Sequence, residues 1–532
     1  MNIAMLLELP SAVAGDQTIL LDDEVALTYA QLREEVARLA SLLLAHGVGP
    51  GDRVGIFATS SARVVEVLFA AAAIEAVAVP MNYRARHDEV AHLLADSQAK
   101  VVFTERRYLE DLRRARRGDT PLLLLDSELT AQLAEAEPLD EFASTGEDAV
   151  LMYTSGTTAL PKGVRLTHEA LSSFALAAGE MADGEERASN LIAVPLYHVA
   201  GLTTLLVSIF TGRRTYLQRE FTPEEWLQAV ARHRVSEAFL VPTMLKRVLD
   251  AEVEAHDLSS LRMLRYGAAP MPETVIARAL ERFPSSTGFI GAYGLTETTS
   301  TVTVLAPEDH ELSGSDEDIA EKRKRLRSVG RVLDDVELEI RDEDGAPLPA
   351  GEVGRVCLRS ARSMRGYLGE EAEPGDGQAG DAQSGPEQSG DTGAQAEDPG
   401  ERWMETGDLG YLDEGGYLFL VGRSGDMIIR GGENIAPQEV ERILLSHPGV
   451  ADAAVVGVPD EEWGQRVVAA VVVAPAHELS AEALIEQCRT RLAGFKRPER
   501  IHFVEELPHT STGKLMRRKV LETLDAPSLT SS

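Results

Sequence analysis

One stretch of this chain has residue types and a spacing suited to holding an anion: Leu151-Met-Tyr-Thr-Ser-Gly-Thr-Thr-Ala-Leu-Pro-Lys-Gly-Val164. An apolar run, Ala149 to Met152, stops abruptly in Thr, Ser and Gly, and Lys162 and Gly163 close the loop. Small hydroxyl residues beside a Gly let the backbone bend tightly and turn N–H and O–H donors toward an anion. The lysine adds a point charge of the kind used on phosphates. The Walker pattern is not met, because the spacing fails and no Ser or Thr follows the Lys. A solvated turn between two strands would explain the Gly and Thr, but not a Lys held at the end of the loop.

Tyr153-Thr-Ser-Gly-Thr-Thr with Pro161-Lys-Gly163 resembles the signature loop of the AMP-forming (adenylate-forming) acyl-CoA synthetase superfamily. The resemblance runs from about Thr28 to Lys519, with the later motifs in the family's order. It implies that Thr154, Ser155, Gly156, Thr157, Thr158 and Lys162 hold the phosphates of ATP. One position departs, since the family usually has Gly where this chain has Ala159.

The other motifs extend the resemblance. Val194-Pro-Leu-Tyr-His-Val-Ala-Gly201 resembles the family's second motif, which implies that His198 is a wall of the acyl pocket. Amino-acid-activating relatives carry an Asp near here, whereas this chain has Val199, Ala200 and Gly201, which implies a plain carboxylic acid. Gly267, Ala268 and Ala269 resemble the turn on which adenine rests. In Gly291-Ala-Tyr-Gly-Leu-Thr-Glu-Thr298, Ala292 and Tyr293 line the base, Thr296 offers a hydroxyl to the α-phosphate, and Glu297 offers a carboxylate to Mg²⁺. That ion usually takes only one or two carboxylates from protein. Asp408, acceptor-only when ionised, suits the ribose hydroxyls, and Arg423 adds a second ribose contact.

The family hinge falls at Gly425, and Gly absorbs backbone rotation readily. Beyond it, Gly431 and Gly432 resemble a turn lining the pantetheine passage of CoA, and Phe495 and Arg497 a segment meeting the CoA nucleotide. Lys514, in Leu507-Pro-His-Thr-Ser-Thr-Gly-Lys514, matches the family's catalytic lysine.

These residues need a large scaffold, and 532 residues suffice for two or more domains. A capping box at Thr28 and Gln31 starts a helical run through Leu32, Val36, Leu39 and Leu43 that Gly47 ends. Strands are expected over 53–58 and 77–80, and helices from about Arg63 and over 88–97. Such alternation argues a layered α/β fold. His87 and His92, five apart, do not share a helix face and read as a pair of surface histidines. The segment 369–401 holds ten acidic residues and no basic one, and reads as a disordered surface insertion.

Acidic residues number 86 against 52 basic ones, of which eight are Lys, for a net charge of −34. Such a surface repels DNA, RNA and anionic membranes, which argues against a nucleic-acid partner. It fits either solubility or adaptation to high salt. Cys357 and Cys488 make no metal or redox spacing. The N-terminus lacks a basic signal-like region, and the longest apolar stretch, Val67 to Pro80, is too short to span a bilayer. A cytoplasmic enzyme is expected.

The expected architecture is therefore α/β, with a large multi-subdomain N-terminal adenylate-forming domain (1–423) and a small mobile α+β C-terminal domain (426–532), hinged at 424–426. The expected function is an acid–CoA ligase using ATP, Mg²⁺ and coenzyme A on a medium- or long-chain fatty acid, with a homodimer among the expected states. Three alternatives stay open: an aryl or other acid as substrate, transfer to a carrier protein, and a non-catalytic nucleotide-binding homologue.

Overall fold

A computed structural model describes residues 1–532 except 117, 155–159, 371–401, 431–432, 461–462, 476, 511–513 and 525–532. Two large sheets form the bulk of the N-terminal domain. In the seven-stranded sheet, Arg53–Phe57 lies between Val77–Pro80 and Val101–Thr104, all parallel. Next to Val77–Pro80 comes Asp148–Thr154, which turns back as the antiparallel strand Lys162–Thr167. The two-residue strand Gly366–Tyr367 completes that edge. The nine-stranded sheet has the parallel strands Ser189–Ile192, Glu237–Leu240, Met263–Gly267 and Gly288–Leu295 side by side, then antiparallel Ser300–Leu305.

Local sequence explains several of these elements. Thr28 and Gln31 form the reciprocal capping box of helix Tyr29–Ala45, and Gly47, at φ +76°, follows its end. Helix Ala62–Ala73 is buried on nearly every side, as its almost unbroken apolar sequence requires. Its side chains share one core with Tyr29–Ala45 and with the apolar helix Val199–Thr211.

A four-stranded antiparallel sheet, which includes Met404–Leu412 and Leu418–Arg423, leads toward the small C-terminal domain. That domain pairs Ile428–Arg430 with Glu433–Ile435, and Val450–Asp460 with Gly464–Val473. Helices Pro437–Leu445 and Ala481–Arg491 contribute Val440, Leu444, Leu484 and Cys488 to its own core. The chain is thus mixed α/β, with one large and one small domain. Among the described residues no helix is long and apolar enough to cross a membrane. The insertion expected at 369–401 lies mostly outside the described residues.

Candidate active site

The Thr/Ser/Gly loop joins two strands in register, with Thr154 opposite Lys162. Ser155, Gly156, Thr157, Thr158 and Ala159 lie outside the described residues. The Lys162 ammonium stands 3.6 Å from a Glu370 carboxylate oxygen and 4.9 Å from the centre of the Tyr367 ring. The expected pair of surface histidines divides here. His87 is exposed, but His92 is half-buried, with Nε2 2.8 Å from the Pro161 carbonyl oxygen. A partner 69 positions away leaves no mark in local spacing.

On the neighbouring sheet Gly267 lies beside Ala292. A Cβ at Gly267 would fall 2.2 Å from the Ala292 carbonyl oxygen, so only Gly allows this approach. Ala268 follows at φ +65°, in the left-handed region that an L-residue rarely takes, and Ala269 continues the turn. His310, which sequence reasoning did not single out, supports this strand from behind. Its Nδ1 donates to the Ala306 carbonyl at 2.8 Å, leaving Nε2 to accept the Tyr266 hydroxyl at 2.8 Å.

Tyr293, Asp408 and Arg423 form a chain. The Tyr293 hydroxyl donates to Asp408 Oδ2 at 2.7 Å, and Arg423 Nε lies 3.1 Å from Oδ1. Burial and then the Asp408 charge push the Tyr293 phenol well above its ordinary range. An ionised carboxylate has about four acceptor positions, so these two partners leave it room for a hydroxyl.

Glu297 and Thr296 sit on a 3-10 turn, Thr296–Thr298, at the end of strand Gly288–Leu295. Behind it Thr299 and Ser300 have φ +51° and +92°, a strained bend for residues with side chains. The bend is held by the Thr299 hydroxyl donating to the Arg362 carbonyl at 2.6 Å. Arg362 is itself buried and paired with Asp335 at 2.6 and 2.9 Å. Tyr367 donates to Glu297 Oε1 at 3.0 Å, and the Met364 N–H donates to the Glu297 carbonyl at 2.7 Å. No three His, Cys, Asp or Glu residues cluster as a self-sufficient metal site among the described residues. A lone carboxylate suits Mg²⁺, whose other ligands come from phosphate and water.

His198 is the residue before helix Val199–Thr211, with its ring 4.3 Å from that of Tyr197. Burial, with Arg84 adding to it, pulls its pKa down to about 3, so the imidazole is neutral. Val199, Ala200 and Gly201 form the first turn of the helix, and that turn contains no acidic residue.

From the small domain, Lys514 reaches the same place. Its N–H donates to Thr510 Oγ1 at 3.0 Å, and its carbonyl accepts from the Thr510 N–H at 2.7 Å. Burial pulls the ammonium pKa down and Arg423 adds to this, while Asp408, Asp426 and Glu297 oppose it. Lys514 therefore sits within electrostatic reach of four residues, three of them expected site residues. Gly425 lies exposed in the 3-10 turn Ser424–Asp426. Arg517 reaches from the segment after Lys514 to Asp426 at 3.3 Å and to Glu441 at 2.7 Å.

Of the residues expected to meet CoA, the structure describes Phe495 and Arg497. Gly431 and Gly432 lie outside the described residues. Phe495 packs against the small domain's core, and Arg497 donates to the Leu492 carbonyl at 3.1 Å. Arg430, just before the Gly pair, donates to the Phe495 carbonyl at 3.0 Å, so the two segments are neighbours.

Residues 8–368 match the family described as AMP-binding enzyme, and residues 439–514 match the AMP-binding enzyme C-terminal domain. A feruloyl-CoA synthase from an Amycolatopsis species is 37% identical over 500 residues, covering 93% of each chain. A fatty acid–[acyl-carrier-protein] ligase, ScoC of Streptomyces coeruleorubidus, is 33% identical over 505 residues, covering 93% of this chain and 91% of its own. Among solved structures, the amide bond synthetase McbA from Marinactinospora thermotolerans superposes with a TM-score of 0.82 at 30% identity, covering 98% of this chain and all of its own.

Proposed function

The chain belongs to the AMP-binding enzyme family and is an AMP-forming acid–thiol ligase, and from that premise we propose that it activates a fatty acid as its acyl-adenylate and transfers the acyl group to coenzyme A. The observation that carries the reading is that Lys514, from the small domain, lies within electrostatic reach of Glu297, Asp408 and Arg423.

In the first step a carboxylate oxygen of the acid attacks the α-phosphorus of ATP and pyrophosphate leaves. Catalysis here is positioning and charge neutralisation. Thr154 and Lys162 flank the loop that holds the outer phosphates. Tyr293 and the turn at Gly267 to Ala269 receive the base, and Asp408 and Arg423 the ribose. Glu297, with Thr296 beside it at the α-phosphate, would hold Mg²⁺, which when bound offsets phosphate charge. Lys514 neutralises the charge that develops between the acid and the α-phosphate.

In the second step the small domain turns about Gly425 and withdraws Lys514. Gly431 and Gly432 then line the approach of the thiol, with Phe495 and Arg497 toward the CoA nucleotide. The thiolate attacks the acyl carbonyl, the thioester forms, and AMP departs with the electrons of the broken C–O bond.

Neutral His198 and the apolar helix behind it favour an acid without an ammonium group. An aryl acid is the second reading, favoured by the 37% identity to a feruloyl-CoA synthase. A panel of fatty and aryl acids, assayed for pyrophosphate release with and without CoA, tests both. Acid-dependent release with acyl-CoA as the product is expected. Release with no acyl-CoA formed would point instead to a carrier protein or an amine as acceptor.

A further inference from the structure

One face of helix His87–Ser97 carries two polar contacts to the hairpin of Asp148–Thr154 and Lys162–Thr167. His92 and Asp96 are four apart, so they share that face. His92 Nε2 lies 2.8 Å from the Pro161 carbonyl oxygen, just before Lys162. A carbonyl only accepts, so Nε2 must carry the hydrogen. Asp96 Oδ2 accepts the Tyr153 hydroxyl at 2.7 Å, just before Thr154. The His92 ring also meets the Tyr153 ring edge-on, with centroids 6.3 Å apart at 82°. One helix thus grips both limbs of the hairpin where they enter and leave the loop.

Resting on the reading of that hairpin as the holder of the nucleotide's outer phosphates, we infer that His92 and Asp96 are positioning residues for those phosphates. His92 sets the limb that carries Lys162, and Asp96, through Tyr153, sets the limb that carries Thr154. Neither touches the nucleotide.

The test compares two probes that differ only in the groups this hairpin would hold. Binding of α,β-methylene-ATP with Mg²⁺, and of AMP, is measured by calorimetry on the full chain. His92→Ala should weaken the ATP analogue about tenfold, as expected for loss of one well-placed hydrogen bond, and leave AMP within about twofold. His92→Gln, whose amide can still donate to Pro161, should recover most of the loss. If His92→Ala does not fold, Tyr153→Phe removes only the hydroxyl that Asp96 accepts and should show the same selectivity. Equal weakening of both probes, no weakening of either, or no recovery with Gln would each overturn the assignment. A wild-type protein that binds the analogue no better than AMP would overturn the phosphate reading of the hairpin itself.

Discussion

The Tyr293 hydroxyl donates to Asp408 at 2.7 Å across 115 positions of sequence, so the ring proposed to receive the base and the carboxylate proposed to receive the ribose are one unit. Tyr293→Phe keeps the ring and removes that bond. A hydrogen bond to a charged group contributes roughly 1.5–3 kcal/mol, and Arg423 still holds the other oxygen. A loss of about 2 kcal/mol in unfolding free energy is expected from urea titration. Nucleotide affinity should fall as well, because Asp408 loses one of its two anchors.

Lys514→Ala should slow acyl-adenylate formation by about 10²–10³, the usual cost of removing one well-placed charge donor. Given pre-made acyl-adenylate and CoA, the variant should form thioester at close to the wild-type rate. Single-turnover assays of each half-reaction check this. Equal damage to both would end the account in which the small domain alternates between two positions.

Arg517→Ala should destabilise the small domain. Glu441 is buried, and besides Arg517 it accepts only the Val455 N–H among the described residues, at 2.8 Å. Removing the guanidinium leaves an uncompensated carboxylate, which typically costs about 3–5 kcal/mol. A lowered thermal transition that Glu441→Gln partly restores in the double variant is the expected result. An unchanged transition would show that water reaches Glu441.

His168 predicts a pH effect on stability. Its ring is buried, and Nδ1 accepts the Ile3 N–H at 3.1 Å. Burial pulls its pKa from 6.5 to about 4. The unfolded chain therefore takes up a proton near pH 6.5 that the folded chain refuses until about pH 4. Stability is intact above that window and lost as pH falls through it, by up to about 3 kcal/mol. Urea midpoints from pH 7.5 to 4.5 should fall more steeply for wild type than for His168→Asn.

Salt dependence separates the two accounts of the acidic surface. With a net charge of −34, adaptation to high salt predicts that the thermal midpoint rises from low toward molar salt as repulsion is screened. A flat series leaves solubility alone.

Short-range patterns in the sequence carried much of the fold. The Thr28 capping box, the strands at Arg53–Phe57 and Val77–Pro80 and the helix at Pro437–Leu445 follow from residues within a few positions of each other. The candidate site was legible as a set of motifs, of which Tyr293, Asp408 and Arg423 are joined by direct contacts and Lys514 lies within electrostatic reach of Asp408, Arg423 and Glu297. What escaped was the support behind each motif. His92 on Pro161, Tyr367 on Glu297 and Arg362 on Asp335 join residues 69, 70 and 27 positions apart, where no periodicity links the partners. Phe495 shows another kind of contact that spacing does not reveal. Its partly buried ring packs on apolar neighbours from distant positions within its own domain.

The ion pair between Lys162 and Glu370 has a consequence for how an anion arrives. The ammonium that would meet a phosphate already has a carboxylate 3.6 Å away, contributed by the first acidic residue of the segment 369–401. Docking of a phosphate at this point would be an ion exchange, in which one anion leaves as another takes its place. The affinity gained there would be the difference between two pairings, each made at the surface, where the Lys162 and Glu370 side chains are 44% and 59% exposed.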